Sequence, residues 1–186
     1  MNTTIINLYG GPGTGKSTSA AYFYYLLKSQ GEHVELVREY VKDWAWEGRA
    51  ITTYDQIYFL GKQVRRESML YGKVDWIVTD SPVMMNLYYA QRYCSSTLAE
   101  GVRSATLAFY RQAVEDGHKH IHILLERNKP YIGAGRYQTE TEALEIDVGV
   151  KRVLEDLKVP VLTSLAEEKD LMALLGQLKN KNKIVP

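Results

Sequence analysis

A three-layer α/β fold around a parallel sheet of about five strands is what this sequence predicts, and three observations carry the prediction. Short apolar runs alternate with stretches of helical period along the whole chain, a rhythm that builds a parallel sheet covered by helices. The first run ends in a glycine-rich turn that opens a helix. The second and third close on acids, Glu39 and Asp80, which a parallel sheet gathers at the carboxyl ends of its strands.

The turn is Gly10-Gly11-Pro12-Gly13-Thr14-Gly15-Lys16-Ser17, followed by Thr18, and it satisfies G-x-x-x-x-G-K-[ST] without departure. The run Ile5–Tyr9 reads as a buried strand before it, and Thr18–Lys28 reads as a helix after it. Strand, loop and helix together make a P-loop, in which glycines let successive N–H groups turn inward and the helix adds its positive end. A triphosphate fits such a cradle. Lys16 would neutralise the β- and γ-phosphates, and the Ser17 hydroxyl would take a position on Mg²⁺.

Composition bounds the rest. With 186 residues the chain is expected to be one domain over 1–186 with a sizeable core. A net charge of +1 advertises neither nucleic acid nor a basic partner. The single cysteine, Cys94, forms no intramolecular disulfide and reads as a small buried hydrophobe. No signal peptide or long apolar span is present, which predicts no membrane association and a cytoplasmic location.

Further along, His33–Val37 reads as the second strand, and Arg38-Glu39-Tyr40 brings an acid to the place where substrate would come. Trp44 and Trp46 follow closely; they fit either the core or a stacked nucleobase. Thr53-x-x-Gln56 reads as a capping box for a helix to about Tyr71, with Ile57, Leu60, Val64 and Leu70 on its apolar stripe. Lys62, Arg65 and Arg66 fit a wet face or a phosphate contact. Val74–Asp80 is the third strand, and Asp80 fits both Mg²⁺ ordering and the cap of the helix beginning near Val83.

Helices are expected over Val83–Tyr93 and Leu98–Asp116. His118, His120 and His122 alternate and read as strand-edge residues rather than metal ligands. Ile121–Leu125 is the fourth strand. The basic, glycine-punctuated segment 126–138 reads as a lid whose Arg127 and Arg136 clamp a transferring phosphoryl group. Thr139-x-x-Glu142 caps a helix through Leu157, Val159–Leu162 is a last strand, and Ser164-x-x-Glu167 caps the final helix. Lys179–Lys183 reads as a solvated tail.

Among P-loop classes, a GTPase is disfavoured: Asn128-Lys129-Pro130-Tyr131 has tyrosine where a guanine-reading acid belongs, and Val83 stands where a switch glycine would follow Asp80. A ring-forming ATPase or helicase normally carries more domain than this length provides. A P-loop, a strand-end acid, a second acid near the acceptor and an arginine lid are the parts of a small kinase.

These residues resemble the nucleotide and nucleoside kinase branch of P-loop proteins. Val37-Arg38-Glu39 and Thr79-Asp80-Ser81-Pro82 are similar to the thymidylate-kinase strand endings. More narrowly, Ile6–Thr18, Val34–Tyr40, Gly72–Asp75, Thr79–Pro82 and Gly135–Glu140 resemble phage-type kinases of 5-hydroxymethyl-deoxyuridine in DNA, over roughly residues 4 to 160. The resemblance implies the P-loop NTPase, nucleotide-kinase fold. It also implies ATP and Mg²⁺ as cofactors, and phosphorylation of hydroxymethylated DNA in thymidine hypermodification inside a bacteriophage host. Lys16 and the loop would hold ATP, and Ser17 and Asp80 the metal. Glu39 or Asp80 would accept the proton, and Tyr40, Trp44, Arg65 and Arg66 would meet the acceptor. A free nucleoside or nucleoside monophosphate, including nicotinamide-riboside-like compounds, is the alternative acceptor. A nucleotide-responsive module without catalysis is the alternative of another class.

Overall fold

The computed structural model describes residues 2–183. In chain order they form β1 (Thr4–Tyr9), α1 (Lys16–Ser29), β2 (Val34–Val37), α2 (Val41–Trp46), α3 (Asp55–Ser68), β3 (Trp76–Thr79), α4 (Met85–Tyr93), α5 (Ser96–Glu115), β4 (Lys119–Glu126), α6 (Glu140–Leu157), β5 (Val161–Leu165) and α7 (Glu168–Lys183). The sheet runs β2-β3-β1-β4-β5, and each neighbouring pair is parallel. The expected five-stranded α/β fold is present, with helices on both faces.

β1 is buried along its whole length because it is central and covered twice. Successive side chains point to opposite faces. Ile6 and Leu8 join Phe23 and Leu27 of α1 and Leu171, Leu174, Leu175 and Leu178 of α7. Tyr9 turns the other way, onto Met85 and Leu87 of α4 and Ile146, Val150 and Leu154 of α6. Full burial of each large apolar side chain contributes roughly 1.5–3 kcal/mol, so these two layers fix how α1 and α6 stand over the sheet. α6 starts as expected: Thr139 Oγ1 accepts from the Glu142 N–H at 3.3 Å, and Glu142 Oε2 accepts from the Thr139 N–H at 2.8 Å.

Several local expectations are overturned. Thr53 and Gln56 form no capping box; the Asp55 carboxylate instead accepts from the N–H and hydroxyl of Thr52, at 2.7 and 2.8 Å. Ile57 is 55% exposed, and the buried stripe of α3 runs through Gln56, Phe59, Leu60, Gln63 and Glu67. Ser164 lies within β5, which extends past Leu162, and the first turn of α7 is held by the Glu167 carbonyl. Asp80 does not cap α4, which begins after Met84. The apolar helix 41–46, left unassigned by periodicity, is α2.

The histidines are not at a sheet edge. β4 lies between β1 and β5, and His122 is buried against the Tyr9 hydroxyl at 2.9 Å and the Tyr110 hydroxyl at 3.2 Å. Burial pushes His120 down to about 3 and His122 to about 4, so both are neutral packing groups. Cys94 is half-buried beside the α3–α5 cluster, its thiol donating to the Thr53 carbonyl at 3.4 Å. Lys179–Lys183 is no free tail but the end of α7, where Lys179 pairs with Glu32 at 2.5 Å.

Candidate active site

The strand order decides the site. β1 carries the P-loop, β3 pairs directly with β1, and β2 pairs with β3, so Gly10–Ser17, Asp80 and Glu39 emerge side by side. The link is a direct bond: the Glu39 N–H donates to Asp80 Oδ1 at 2.9 Å. Asp80, 4% exposed, thus fixes the chain leaving β2 while standing beside Lys16.

The loop is tight where glycine is required. Gly15 has φ +94°, and a Cβ there would lie 2.5 Å from the Ala166 methyl, so a side chain is refused by both backbone and space. The Lys16 ammonium donates to the carbonyls of Gly10 at 2.7 Å and Gly11 at 2.9 Å. Burial lowers its pKa, opposed by Glu39, Asp80 and Asp147 in turn. Thr14 is buried and its hydroxyl donates to the Gly11 carbonyl at 3.0 Å. Ser17 and Thr18, at the start of α1, are exposed on the cleft side.

Segment 127–138 crosses the loop. A Cβ at Gly13 would meet Arg136 Nη1 at 2.8 Å and Arg127 Nη1 at 3.0 Å, so both guanidinium groups overhang the phosphate turn. Arg127 is bound tightly: its Nη2 donates to the Pro12 carbonyl at 2.8 Å, and its Nε to Asp147 Oδ2 at 2.7 Å. Arg136 stacks on Tyr131, 5.1 Å from the ring centre. The far end of the segment is tied down by the Tyr137 hydroxyl donating to the Arg49 carbonyl at 2.8 Å. Gly135 sits against the Trp46 indole, where a Cβ would approach to 2.5 Å.

Beneath this cover is a cavity of about 280 Å³. Gly13, Lys16, Ser17 and Thr18 of the loop and α1 line it together with Glu39, Tyr40, Gln56, Gln63, Asn86 and Tyr89. Burial raises the Glu39 pKa, opposed by Lys16 and reinforced by Asp80. Both amide atoms of Gln63 are buried without a partner among the described residues.

The expected acceptor residues separate. Tyr40 lines the cavity, its hydroxyl 2.7 Å from that of Tyr58. Trp44 does not line it; it packs edge-on against Phe59, ring centres 4.9 Å apart, with Arg49 over its face. Arg66 is turned to the Arg38 carbonyl at 3.1 Å and the Tyr40 ring at 4.9 Å, and Arg65 is exposed away from the cavity. Asp147 escaped the sequence reading because its partners Gly11 and Arg127 are remote in the chain. Gln56 and Gln63 fall outside the expected stripe of Ile57, Leu60 and Val64, on the face that packing buries instead.

A P-loop pinned beside two strand-end acids, on a parallel sheet, defines a P-loop protein with a kinase-like α/β fold. The family described as "AAA domain" matches residues 5–167, and the chain belongs to it. Solved structures share the fold. NadR in complex with NAD and AMP-PNP aligns at 15% identity and TM-score 0.62 over 87% of this chain and 44% of that one. NadR in complex with NR aligns at 16% and 0.68, over 90% and 47%. Thymidylate kinase from Ehrlichia chaffeensis aligns at 14% and 0.63, over 96% and 98%. The chain therefore spans less than half the length of the NadR chains. No curated protein matches it by sequence. Among the described residues no helix is long and apolar enough to cross a membrane.

Proposed function

We propose that the chain transfers the γ-phosphoryl group of ATP to a hydroxyl of a nucleoside-type acceptor. The observation that carries this reading is the shared cavity: Lys16, Ser17 and Glu39 line one space, under a segment that holds two arginines over the phosphate turn. That arrangement supplies the positioning and charge stabilisation that phosphoryl transfer requires.

In this reading the loop amides and Lys16 hold the triphosphate. Ser17 and Asp80 fit a magnesium ion that arrives with it, because Mg²⁺ is bound through one or two protein oxygens plus substrate phosphates. Bound Mg²⁺ supplies neutralisation of the phosphate oxygens. Glu39, which lines the cavity where Asp80 does not, takes the acceptor proton as the hydroxyl oxygen attacks γ-phosphorus and ADP leaves. Arg127 and Arg136 bear on the charge that spreads over the transferring group. The unpartnered amide of Gln63 offers a donor and an acceptor to a base edge.

The finer acceptor we propose is 5-hydroxymethyl-deoxyuridine in DNA. At the cavity, Tyr40 and its hydroxyl partner Tyr58 are interleaved with cations: Lys62 stands 5.2 Å from the Tyr58 ring and Arg66 4.9 Å from that of Tyr40. Such aromatic and basic strips suit a single strand, and the reacting base would leave its stack to reach the cavity. Incubation with labelled ATP and either a hydroxymethyl-deoxyuridine oligonucleotide or free nucleosides and nucleotides decides it. Label on the polymer supports the finer reading, label on a free acceptor only the coarser one, and turnover with neither refutes both. Lys16→Ala is expected to lower transfer by about 10²–10³-fold.

A further inference from the structure

A second cavity, of about 150 Å³, lies further along α3 from the first, between the end of that helix, the β3–α4 turn and α5. Gln63 faces the first cavity, and Glu67, one turn along α3, lines the second. The two spaces share a wall but no lining residue.

The chemistry of this space is one-sided. Its charged wall residues are Glu67 and Asp116, and no lysine or arginine lines it. His120 lines it too but is held neutral by burial, so it brings no compensating charge. Glu67 is 1% exposed; one carboxyl oxygen accepts from the Tyr71 hydroxyl at 2.5 Å, and Oε2 has no partner among the described residues. A buried carboxyl left half-bonded is rare and costly. Tyr71, Phe109 and Tyr110 supply aromatic wall, and rings of this kind attract cations through their faces.

We propose that this cavity binds a small organic ammonium ion, its charge set against Glu67 and Asp116 and its carbon atoms against the three rings. Its volume matches that of a cavity known to accept a single benzene-sized ring, which limits the guest to a few carbon atoms. An inorganic anion is opposed by both acids. Among the described residues no group of three or more histidine, cysteine, aspartate or glutamate side chains is placed to hold a metal ion. The site does not rest on the phosphotransfer reading.

The groups facing Glu67 settle how binding responds to pH. They are Tyr71 from the turn after α3, Tyr9 from β1, Tyr110 and Asp116 from the α5 side, and His120 from β4, with His122 bonded to Tyr9 behind them. Burial pushes Glu67 up to about 7, while the histidines stay neutral above about 4 and the tyrosines stay protonated. A bound cation favours the ionised carboxylate, so affinity rises with pH through neutrality.

The test is calorimetric titration of the full chain with choline and with 3,3-dimethylbutan-1-ol, which has the same shape without the charge. Choline is expected to saturate, to bind at least about tenfold more tightly than the alcohol, and to bind more tightly at pH 8 than at pH 6. Glu67→Gln is expected to weaken choline about tenfold. Asp116→Asn, at an exposed position after α5, is expected to weaken it about threefold. No saturation with tens of millimolar choline, equal binding of the alcohol, or indifference to both substitutions would overturn the proposal.

Discussion

Arg127 donates its Nε to Asp147 at 2.7 Å, and the second oxygen of that carboxylate accepts the Gly11 N–H at 2.6 Å. One acid on α6 therefore holds both an arginine over the phosphate turn and the turn itself. The pair is mostly buried, with side-chain exposures of 15% and 24%.

Removing Asp147 strands a partly buried guanidinium and a loop N–H together. Asp147→Ala is expected to cost roughly 1–3 kcal/mol of stability and to raise the KM for ATP several-fold with a smaller change in kcat. Urea unfolding and ATP titration measure the two effects. A variant as stable and as avid as the parent would show that the acid anchors nothing.

If Glu39 takes the acceptor proton as proposed, it sets the acid limb of the pH profile. Burial raises its pKa, so activity that needs the carboxylate falls at a higher pH than an ordinary glutamate would impose. Glu39→Gln is expected to lower kcat by about 10²–10⁴-fold and to remove that limb. Persistence of the limb in the variant would move the proton-accepting role to Asp80.

How far the sequence reached differs between elements for physical reasons. The P-loop was legible because its geometry is local: Gly15 at φ +94° takes a backbone conformation that side chains disfavour. Asp80 and Glu39 were legible because any parallel sheet collects strand ends. Asp147 was not, since its bonds to Gly11 and Arg127 join segments brought together only by packing of α6. Ser164-x-x-Glu167 misled because a capping pattern carries no information about how far β4 pairing extends β5. Trp44 and Trp46 were ambiguous in sequence, and the fold divides them: the first packs on Phe59, the second supports Gly135.

The contact between Gly135 and Trp46 predicts a lid variant. Trp46 is 67% exposed, so its indole serves the lid more than the core. Gly135 has φ +70°, and a Cβ would press on the ring at 2.5 Å. Gly135→Ala is expected to displace 133–138 at a cost of roughly 1–2 kcal/mol. The KM for ATP should rise and the unfolding midpoint should fall by roughly 2–8 °C. Indole emission should shift toward the red; unchanged emission together with unchanged KM would mean the segment does not close through this contact.

Glu67 is a group whose removal should stabilise. Burial raises it from 4.5 to about 7 in the folded chain, so the folded state holds its proton more tightly than the unfolded chain does. Its favourable contribution is complete below 4.5 and is lost as pH rises through 7. His120 and His122 act with the opposite sign: their folded values of about 3 and 4 lie below the ordinary 6.5, so stability falls as pH drops below 6.5. Those terms are common to parent and variant and cancel in the difference. Glu67→Gln should therefore match the parent near pH 4.5 and exceed it by about 2–3 kcal/mol at pH 8, read from urea unfolding at both values. A difference that does not grow with pH would mean that the buried carboxyl is ionised and paired in the folded protein.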